Sequence, residues 1–292
     1  MRKCTPQKYN YNFQTFYKED FLSYYLLGAF ITDGCIYISK DRPNKKCIDL
    51  TSKDKDWLEI INKYICPDKP ILKHGKNCYK LTCYSTELAN WFISKGCGPR
   101  KSLIVNFPNI PIQFLSDFIR GCWDGDGSLS FTKSGNGGKN YQRQANLTSG
   151  SLSFCNSLCE ELNKLNIKCK VKNHGRSFRE IEGRILKPSN CFRVVISGGE
   201  STYNLCKLLY SENKISMPRK QKIAQDIIDD WEKKIQCINC HCIIDTIERQ
   251  QKRCAECQRL HMNEIHRKRY HLKKINSPSV CLLPLSNEIN RI

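Results

Sequence analysis

Two Asp-Gly pairs close two similar apolar segments: Asp33–Gly34 ends LLGAFITDG at 26–34, and Asp126–Gly127 ends IRGCWDGDG at 119–127. Two carboxylates brought together repel unless a cation lies between them. Oxygen ligands of this kind suit Mg²⁺ or Mn²⁺, since such ions keep waters and bind phosphate oxygens. A pair like Asp33 and Asp126 could therefore hold a cation that activates water and stabilises a departing 3′ oxygen in phosphodiester hydrolysis. A second constellation lies near the other end. CINC at 237–240 is followed by thirteen residues and then CAEC at 254–257. That spacing predicts one tetrahedral Zn²⁺ on Cys237, Cys240, Cys254 and Cys257, with Cys242 and His261 as possible substitutes. A short basic segment has little core of its own, so the metal would supply its folding free energy.

The elements that must position the two aspartates repeat. FLSYY and FLSDF precede the two motifs, and strand-like CIYIS and SLSF follow them. Downstream, IDLTS at 48–52 matches ANLTS at 145–149, and each leads into a helical run, DWLEIINKYI or FCNSLCEELNKL. CYKLTCYS at 78–85 then matches CFRVVISG at 191–198, and GPRKS at 98–102 matches MPRKQ at 217–221. Each copy reads helix, strand, turn, strand, helix, strand pair, helix, an α+β pattern. Small residues on one helix face (Gly28 and Ala29 in the first copy, Gly121 in the second) let two helix backbones approach and carry Asp33 and Asp126 together at the base of the interface. The glycine after each aspartate is expected in a left-handed turn.

This divides the chain into an N-terminal extension (1–18), a first half-domain (19–105), a linker with two prolines (106–112), a second half-domain (113–232), a basic zinc-binding module (233–276) and an irregular tail (277–292). The second copy is longer by KSGNGGKN at 133–140 and HGRSFREIEGRILK at 174–187. Polar, cationic insertions beside strands are expected to touch a ligand.

Lys and Arg total 48 against 28 acids, a formal charge of +20, which predicts a polyanionic partner, nucleic acid above all. Met1 to Phe13 carries no apolar leader, and the longest nearly unbroken apolar run, Tyr24 to Ile31, is far too short to cross a bilayer. The expectation is an intracellular protein in a reducing compartment, neither secreted nor membrane-bound, whose 19 cysteines are thiols or metal ligands. Dispersed ones such as Cys35, Cys47, Cys122 and Cys169 read as small buried hydrophobes. A chain beginning at Met1 and ending at Ile292, without a splicing Cys or Ser or a final His-Asn, is not expected to be an intein.

Over about residues 19–232 the motifs resemble the LAGLIDADG homing endonucleases in their double-motif, single-chain form. Asp33 and Asp126 stand at the eighth letter, where that family carries its metal-binding acids, and Gly28 and Gly121 at the third, the helix-contact glycine. At the sixth letter the copies differ: Asp124 in the second, Ile31 in the first. The resemblance implies two pseudo-symmetric αββαββα half-domains whose antiparallel sheets form a saddle over double-stranded DNA, in a monomer with pseudo-two-fold symmetry. It also implies a cut of both strands across the minor groove, leaving short 3′ overhangs. It places Asp49 and Asn146 near the attacking water, and Lys101 and Lys220 near the scissile phosphate. Appended DNA-binding modules are known on such enzymes, consistent with the four-cysteine segment. Two other functions fit the same fold, an intron RNA maturase and a non-catalytic DNA-binding regulator. Loss of either aspartate would favour them, and both aspartates are present.

Alternating strands present every second side chain to a groove. Tyr37, Ser39, Lys80, Arg143, Gln144, Arg176, Arg179 and Arg193 are the candidates, with Arg and Gln suited to guanine and adenine edges and the remainder to phosphates. After the cysteines, HMNEIHRKRYHLKK places His266, Arg267, Lys268, Arg269, Lys273 and Lys274 on a predicted helix suited to backbone phosphates.

Overall fold

The computed structural model describes residues 9–133, 141–175, 179–181, 184–186, 191–212, 214–242, 244 and 252–275; for 179–181, 184–186, 234, 235 and 273–275 only the backbone is described. The described residues separate into two compact units, 1–231 and 232–292.

In the first unit a short helix α1 (Gln14–Tyr17) leads into α2 (Phe21–Thr32). The Asp20 carboxylate starts α2 by accepting from the amides of Leu22 and Ser23 at 3.0 and 3.1 Å, satisfying two donors that a helix N-terminus leaves open. Every residue from Leu22 to Ile31 is buried, so α2 is a core helix without a solvent face. The chain continues through β1 (Gly34–Ile38), β2 (Lys46–Ser52), α3 (Lys55–Ile65), β3 (Leu72–Lys73), β4 (Tyr79–Cys83) and α4 (Thr86–Ser94). The strands form one antiparallel sheet in the order β1-β2-β4-β3.

The second half repeats the plan: α5 (Leu115–Asp126), β5 (Gly127–Lys133), β6 (Tyr141–Ser149), α6 (Leu152–Lys164), β7 (Cys169–Asn173), β8 (Arg179–Ile181), β9 (Arg184–Leu186), β10 (Phe192–Ile196) and α7 (Gly199–Tyr210), followed by α8 (Pro218–Ile235). Its sheet runs β5-β6-β10-β7, the same topology, and β8–β9 is a separate two-stranded ribbon within the insertion. Both halves are thus αββαββα, as the repeat predicts.

The cores follow from simple periodicities. On α3, Trp57, Leu58, Ile61 and Ile65 recur at helical spacing and are buried; on α6, Phe154, Leu158 and Leu162 do the same. They meet the inward residues of the strands (Ile48, Leu50, Leu81 and Cys83 in one sheet; Leu147, Val194 and Ile196 in the other), and one hydrophobic cluster runs through both halves.

The left-handed turn expected after each aspartate does not occur. Gly127 is extended, at φ −77° and ψ 154°, and Gly34 is not among the residues at positive φ. Glycine is required there for space. A Cβ at Gly34 would lie 2.6 Å from the Phe30 ring, and one at Gly127 would lie 2.5 Å from the Trp123 ring. Both glycines are the first residues of strands that fold straight back over the helix end.

In the second unit, Cys237 to Cys242 forms a tight turn closed by Cys237 N–H to the Cys242 carbonyl at 2.8 Å. Ile238 N–H bonds the Lys252 carbonyl at 2.9 Å, and helix α9 (Ala255–Ile275) follows. No described helix is long and apolar enough to cross a membrane.

Candidate active site

Helices α2 and α5 touch backbone to backbone. A Cβ on Gly28 would stand 2.8 Å from the Cys122 amide nitrogen and nearer still to the Phe118 carbonyl oxygen. One on Gly121 would stand 2.9 Å from the Ala29 nitrogen and nearer still to the Tyr25 carbonyl. Gly28, Ala29 and Gly121 therefore form the helix interface read from the sequence. The closeness persists to the helix ends, where a Cβ on Gly125 would collide with the Thr32 side chain and reach 3.5 Å from the Asp33 nitrogen. Asp33 caps the end of α2 and Asp126 is the last residue of α5. The two carboxylates are electrostatic neighbours. Burial, then repulsion from Asp126, raises Asp33 to about 7, while Lys220 and Lys101 pull it back. Asp126 lies on the exposed side of its helix end, yet enough protein surrounds the carboxylate that desolvation raises it too, against Lys101 and Lys220. Two acids made uncomfortable as anions, and open to solvent on one side, fit a divalent cation.

Lys101 and Lys220 are buried and built into the helix ends. The Lys220 ammonium donates to the carbonyls of Trp123 (2.7 Å), Asp124 (2.6 Å) and Gly125 (3.0 Å) in the last turn of α5, where the Trp123 carbonyl also accepts the Gly127 N–H. Burial lowers Lys220 to about 8. Lys101, in a 3₁₀ turn (Lys101–Leu103) entered through left-handed Arg100 at φ 54°, donates to the Gly34 carbonyl. One lysine per half thus places a fixed positive charge beside the acid pair.

Asp124, the sixth letter of the second motif, is not part of that pair. It is fully buried and accepts from the Tyr25 hydroxyl (2.7 Å), the Tyr210 hydroxyl (2.7 Å) and the Met217 amide (2.8 Å). The Trp57 indole in turn donates to the Tyr25 oxygen at 2.7 Å. Tyr25, Tyr210 and Trp57 were not legible as site-supporting residues. The one available signal was Tyr25, a hydroxyl on the otherwise apolar face three residues before Gly28.

Strand register makes Asp49 and Asn146 equivalent. Gly34 pairs with Leu50 and Cys35 with Asp49; Gly127 pairs with Leu147 and Ser128 with Asn146. Each therefore sits one residue beyond the motif, on the sheet face away from the helices. Asp49 Oδ2 accepts from Lys80 at 2.6 Å, and Oδ1, though buried, has no protein partner. The two positions differ in charge, which the matched blocks already show.

By strand alternation Tyr37, Lys80, Gln144 and Arg193 share that outward face, and Ser39 follows it just past β1. Tyr37 is 54% exposed, and the Arg193 guanidinium reaches Thr148 Oγ1 at 3.4 Å. Arg143 does not belong with them. It is one residue out of phase, points to the helix side, ion-pairs with Asp230 of α8 and stacks 5.2 Å from the Trp231 ring, so it cannot read a base. Arg176 and the side chain of Arg179 lie outside the described residues, as do most of 133–140, much of 174–187 and the tail 277–292.

The second unit brings the four predicted cysteines together. Ligand atoms of Cys237, Cys240, Cys254 and Cys257 all lie within 4.8 Å of one another. The Cys240 and Cys254 sulfurs are 3.7 Å apart, close to the roughly 3.8 Å edge of a tetrahedron with Zn–S bonds of about 2.3 Å. Cys242 sits 3.3 Å from Cys240 but outside the four-sulfur group, and His261 is not in it. On α9, His266, Arg267, Lys268 and Arg269 are exposed, Lys268 pairing with Glu264 at 2.7 Å. The side chains of Lys273 and Lys274 lie outside the described residues.

No family model matches the sequence, and no curated protein does. Several solved structures have a similar chain path. One is the I-LtrWI LAGLIDADG homing endonuclease bound to target DNA, at 14% identity over 74% of this chain and 92% of that one, with a TM-score of 0.48. Another is the meganuclease I-SmaMI bound to uncleaveable DNA, at 13% identity over 70% and 88%, TM-score 0.48. Mesophilic variants of the homing endonuclease I-DmoI align at 15% identity over 68% and 95%, TM-score 0.45.

Proposed function

We propose that the chain is a single-chain LAGLIDADG-type homing endonuclease that makes a staggered double-strand cut in a long DNA target. The observation that carries this reading is the meeting of Asp33 and Asp126 at the paired ends of α2 and α5, beside two sheets and in a chain of charge +20. Asp33 and Asp126 would hold Mg²⁺ or Mn²⁺, which when bound supplies a water nucleophile at neutral pH and charge stabilisation for the departing 3′ oxygen. Lys101 and Lys220, fixed by helix-end and strand carbonyls, offset negative charge growing at the phosphate. Asp49 and Asn146 stand at equivalent places to orient water in the two halves, Asp49 through its unpartnered Oδ1.

Duplex DNA would lie across the outward sheet faces. Tyr37, Ser39, Gln144 and Arg193 would contact base edges or phosphates, and Lys80 a phosphate once it leaves Asp49. Zn²⁺ on the four cysteines would hold the second unit, with Arg267, Lys268 and Arg269 of α9 on backbone phosphates. A reducing intracellular compartment, in a bacterial or phage-infected cell or an organelle, and a monomeric state complete the proposal.

The test is selection of cleaved sites from a random duplex library with Mg²⁺, using wild type beside Asp33→Asn and Asp126→Asn. Wild type is expected to return one long, partly degenerate target, and each variant to lose cutting while retaining binding. Cutting that persists in both variants removes the assignment.

A further inference from the structure

Asp54 and Arg219 form a bidentate ion pair between the two halves. Arg219 Nε donates to Asp54 Oδ1 and Nη2 donates to Oδ2, each at 2.9 Å. Asp54 stands at the N-cap of α3, where an aspartate ordinarily accepts from its own helix, yet its side chain caps nothing there. Arg219 is the second residue of α8, between Met217, whose amide donates to Asp124, and Lys220. We propose that Asp54 is a positioning residue for Lys220: its fork to Arg219 fixes the first turn of α8, and the cut of one DNA strand depends on it. This rests on the endonuclease reading.

The start of α8 needs an outside tether. A helix N-terminus has no intrahelical partners for its first amides, and Pro218 has no N–H to offer a cap. Three carbonyls hold the tip of Lys220, but they belong to α5, so the tip stays on them only while the start of α8 stays in place. A planar guanidinium paired through two parallel hydrogen bonds fixes direction as well as distance. Arg219 is 57% exposed, so the pair adds little to stability and its worth lies in geometry. The fork also borders the acid pair. Burial and Asp126 raise Asp33 most, and Asp54 adds to them.

The matched blocks break symmetry at this point. Arg100 and Lys101 match Arg219 and Lys220, but Ser151 matches Asp54. Ser151 keeps the ordinary capping role, accepting from the Phe154 amide at 3.2 Å, while its hydroxyl donates to the Val105 carbonyl at 2.6 Å. The turn carrying Lys101 also packs its Ser102 carbonyl against Gly150, where a Cβ would stand 2.5 Å away. One lysine is thus tethered through an ion pair and the other through close packing, so removing the Asp54 charge should reach the two strands unequally.

The experiment follows each strand of a separately end-labelled duplex carrying the selected target, with wild type, Asp54→Asn, Asp54→Glu, Arg219→Gln and the Asn/Gln double variant. Asparagine caps a helix as well as aspartate does, and neutralising Asp54 eases the ionisation of Asp33, so neither a lost cap nor a weaker acid pair can account for a slower cut. Asp54→Asn is expected to slow one strand about 10- to 100-fold and the other less than about 2-fold, with an unchanged urea midpoint. Asp54→Glu should restore part of the loss, and the double variant should be no slower than the worse single one. A second measurement uses the full chain without DNA or Mg²⁺: acylation of its lysines by a small activated ester, read by mass spectrometry. Lys220 should label several-fold faster in Asp54→Asn, with Lys101 unchanged. Equal slowing of both strands, or Lys220 labelling at the wild-type rate, would overturn the proposal. If wild type cuts no duplex, the endonuclease reading fails, and the labelling still decides whether Asp54 positions Lys220.

Discussion

The Tyr25 hydroxyl, on the first motif helix, donates a 2.7 Å hydrogen bond to the Asp124 carboxylate of the second, at a point where neither group touches water. Tyr210 and the Met217 amide donate to the same group, so one carboxylate joins both motif helices to α7 and to the segment entering α8. Asp124→Ala would leave three buried donors without an acceptor and should cost about 3–5 kcal/mol. Asp124→Asn keeps an acceptor and should cost less. Urea unfolding of the three proteins checks this, and an alanine variant within about 1 kcal/mol of wild type would refute it. The same geometry accounts for Ile31 at the matching letter of the first motif, since one such carboxylate serves both helices.

Gly28→Ala and Gly121→Ala should each do more harm than alanine's better helix propensity repays. Each new methyl would meet backbone atoms of the facing helix (Cys122 N at 2.8 Å, Ala29 N at 2.9 Å), which cannot rotate away as a side chain can. Separating the helices should cost roughly 1–3 kcal/mol and spread Asp33 from Asp126, so cleavage should fall further than stability. Gly98→Ala, with nothing within 4 Å of the added atom, is the control. Thermal unfolding together with a cleavage assay separates the two effects, and full activity in both helix variants would refute the prediction.

What could be read from the residues alone follows from which constraints are local. Helix spacing and the paired small residues fixed how α2 and α5 meet, and two CxxC pairs fixed four ligands, because each signal spans only a few residues. Strand facing was harder. Arg143 and Gln144 are adjacent, and only the register of β5 with β6 says that Gln144 points outward while Arg143 goes to Asp230. The lysines of the two PRK blocks matched in sequence, but their use as caps on helix-end and strand carbonyls depends on a fold closing over 97 and 67 residues of chain. The glycines after the aspartates were legible as necessary but for another reason, since a Cβ there would meet the carbonyl and ring of the residue four before it, Phe30 or Trp123, where the strand folds back over the helix end.

Asp33 makes metal-free stability depend on pH. Burial and Asp126 raise it from 3.8 to about 7, so the folded protein keeps a proton that the unfolded chain has released. The associated stability is complete below the unfolded value, about pH 4, and is lost as pH rises to about 7. Without divalent metal, the unfolding free energy should fall across that window by up to about 1.4 kcal/mol per pH unit, with Asp126 acting in the same sense. On the proposed function saturating Mg²⁺ would bind the ionised pair and should flatten the curve, as should Asp33→Asn without metal. Denaturant titrations at several pH values check this. A metal-free curve that rises from about pH 5 to about pH 7 would reverse the assigned sign.

Removing zinc should unfold the second unit and leave the first intact. The four sulfurs join the turn at Cys237–Cys240 to the first turn of α9, where Cys254 immediately precedes the helix and Cys257 lies within it. Most of α9 beyond that turn is exposed, so it has little packing to hold it once the sulfurs separate. Protein purified without chelator is expected to contain about one zinc per chain. Chelation, or Cys257→Ser, should lower helical circular dichroism by an amount consistent with α9, while the main thermal transition stays where it was. Affinity for duplex DNA should fall, and its salt dependence should become shallower as Arg267, Lys268 and Arg269 leave the phosphates. Zinc content near zero would remove the metal centre. Zinc present but with unchanged circular dichroism on chelation would show that α9 folds without it, and the basic helix would then need another source of order.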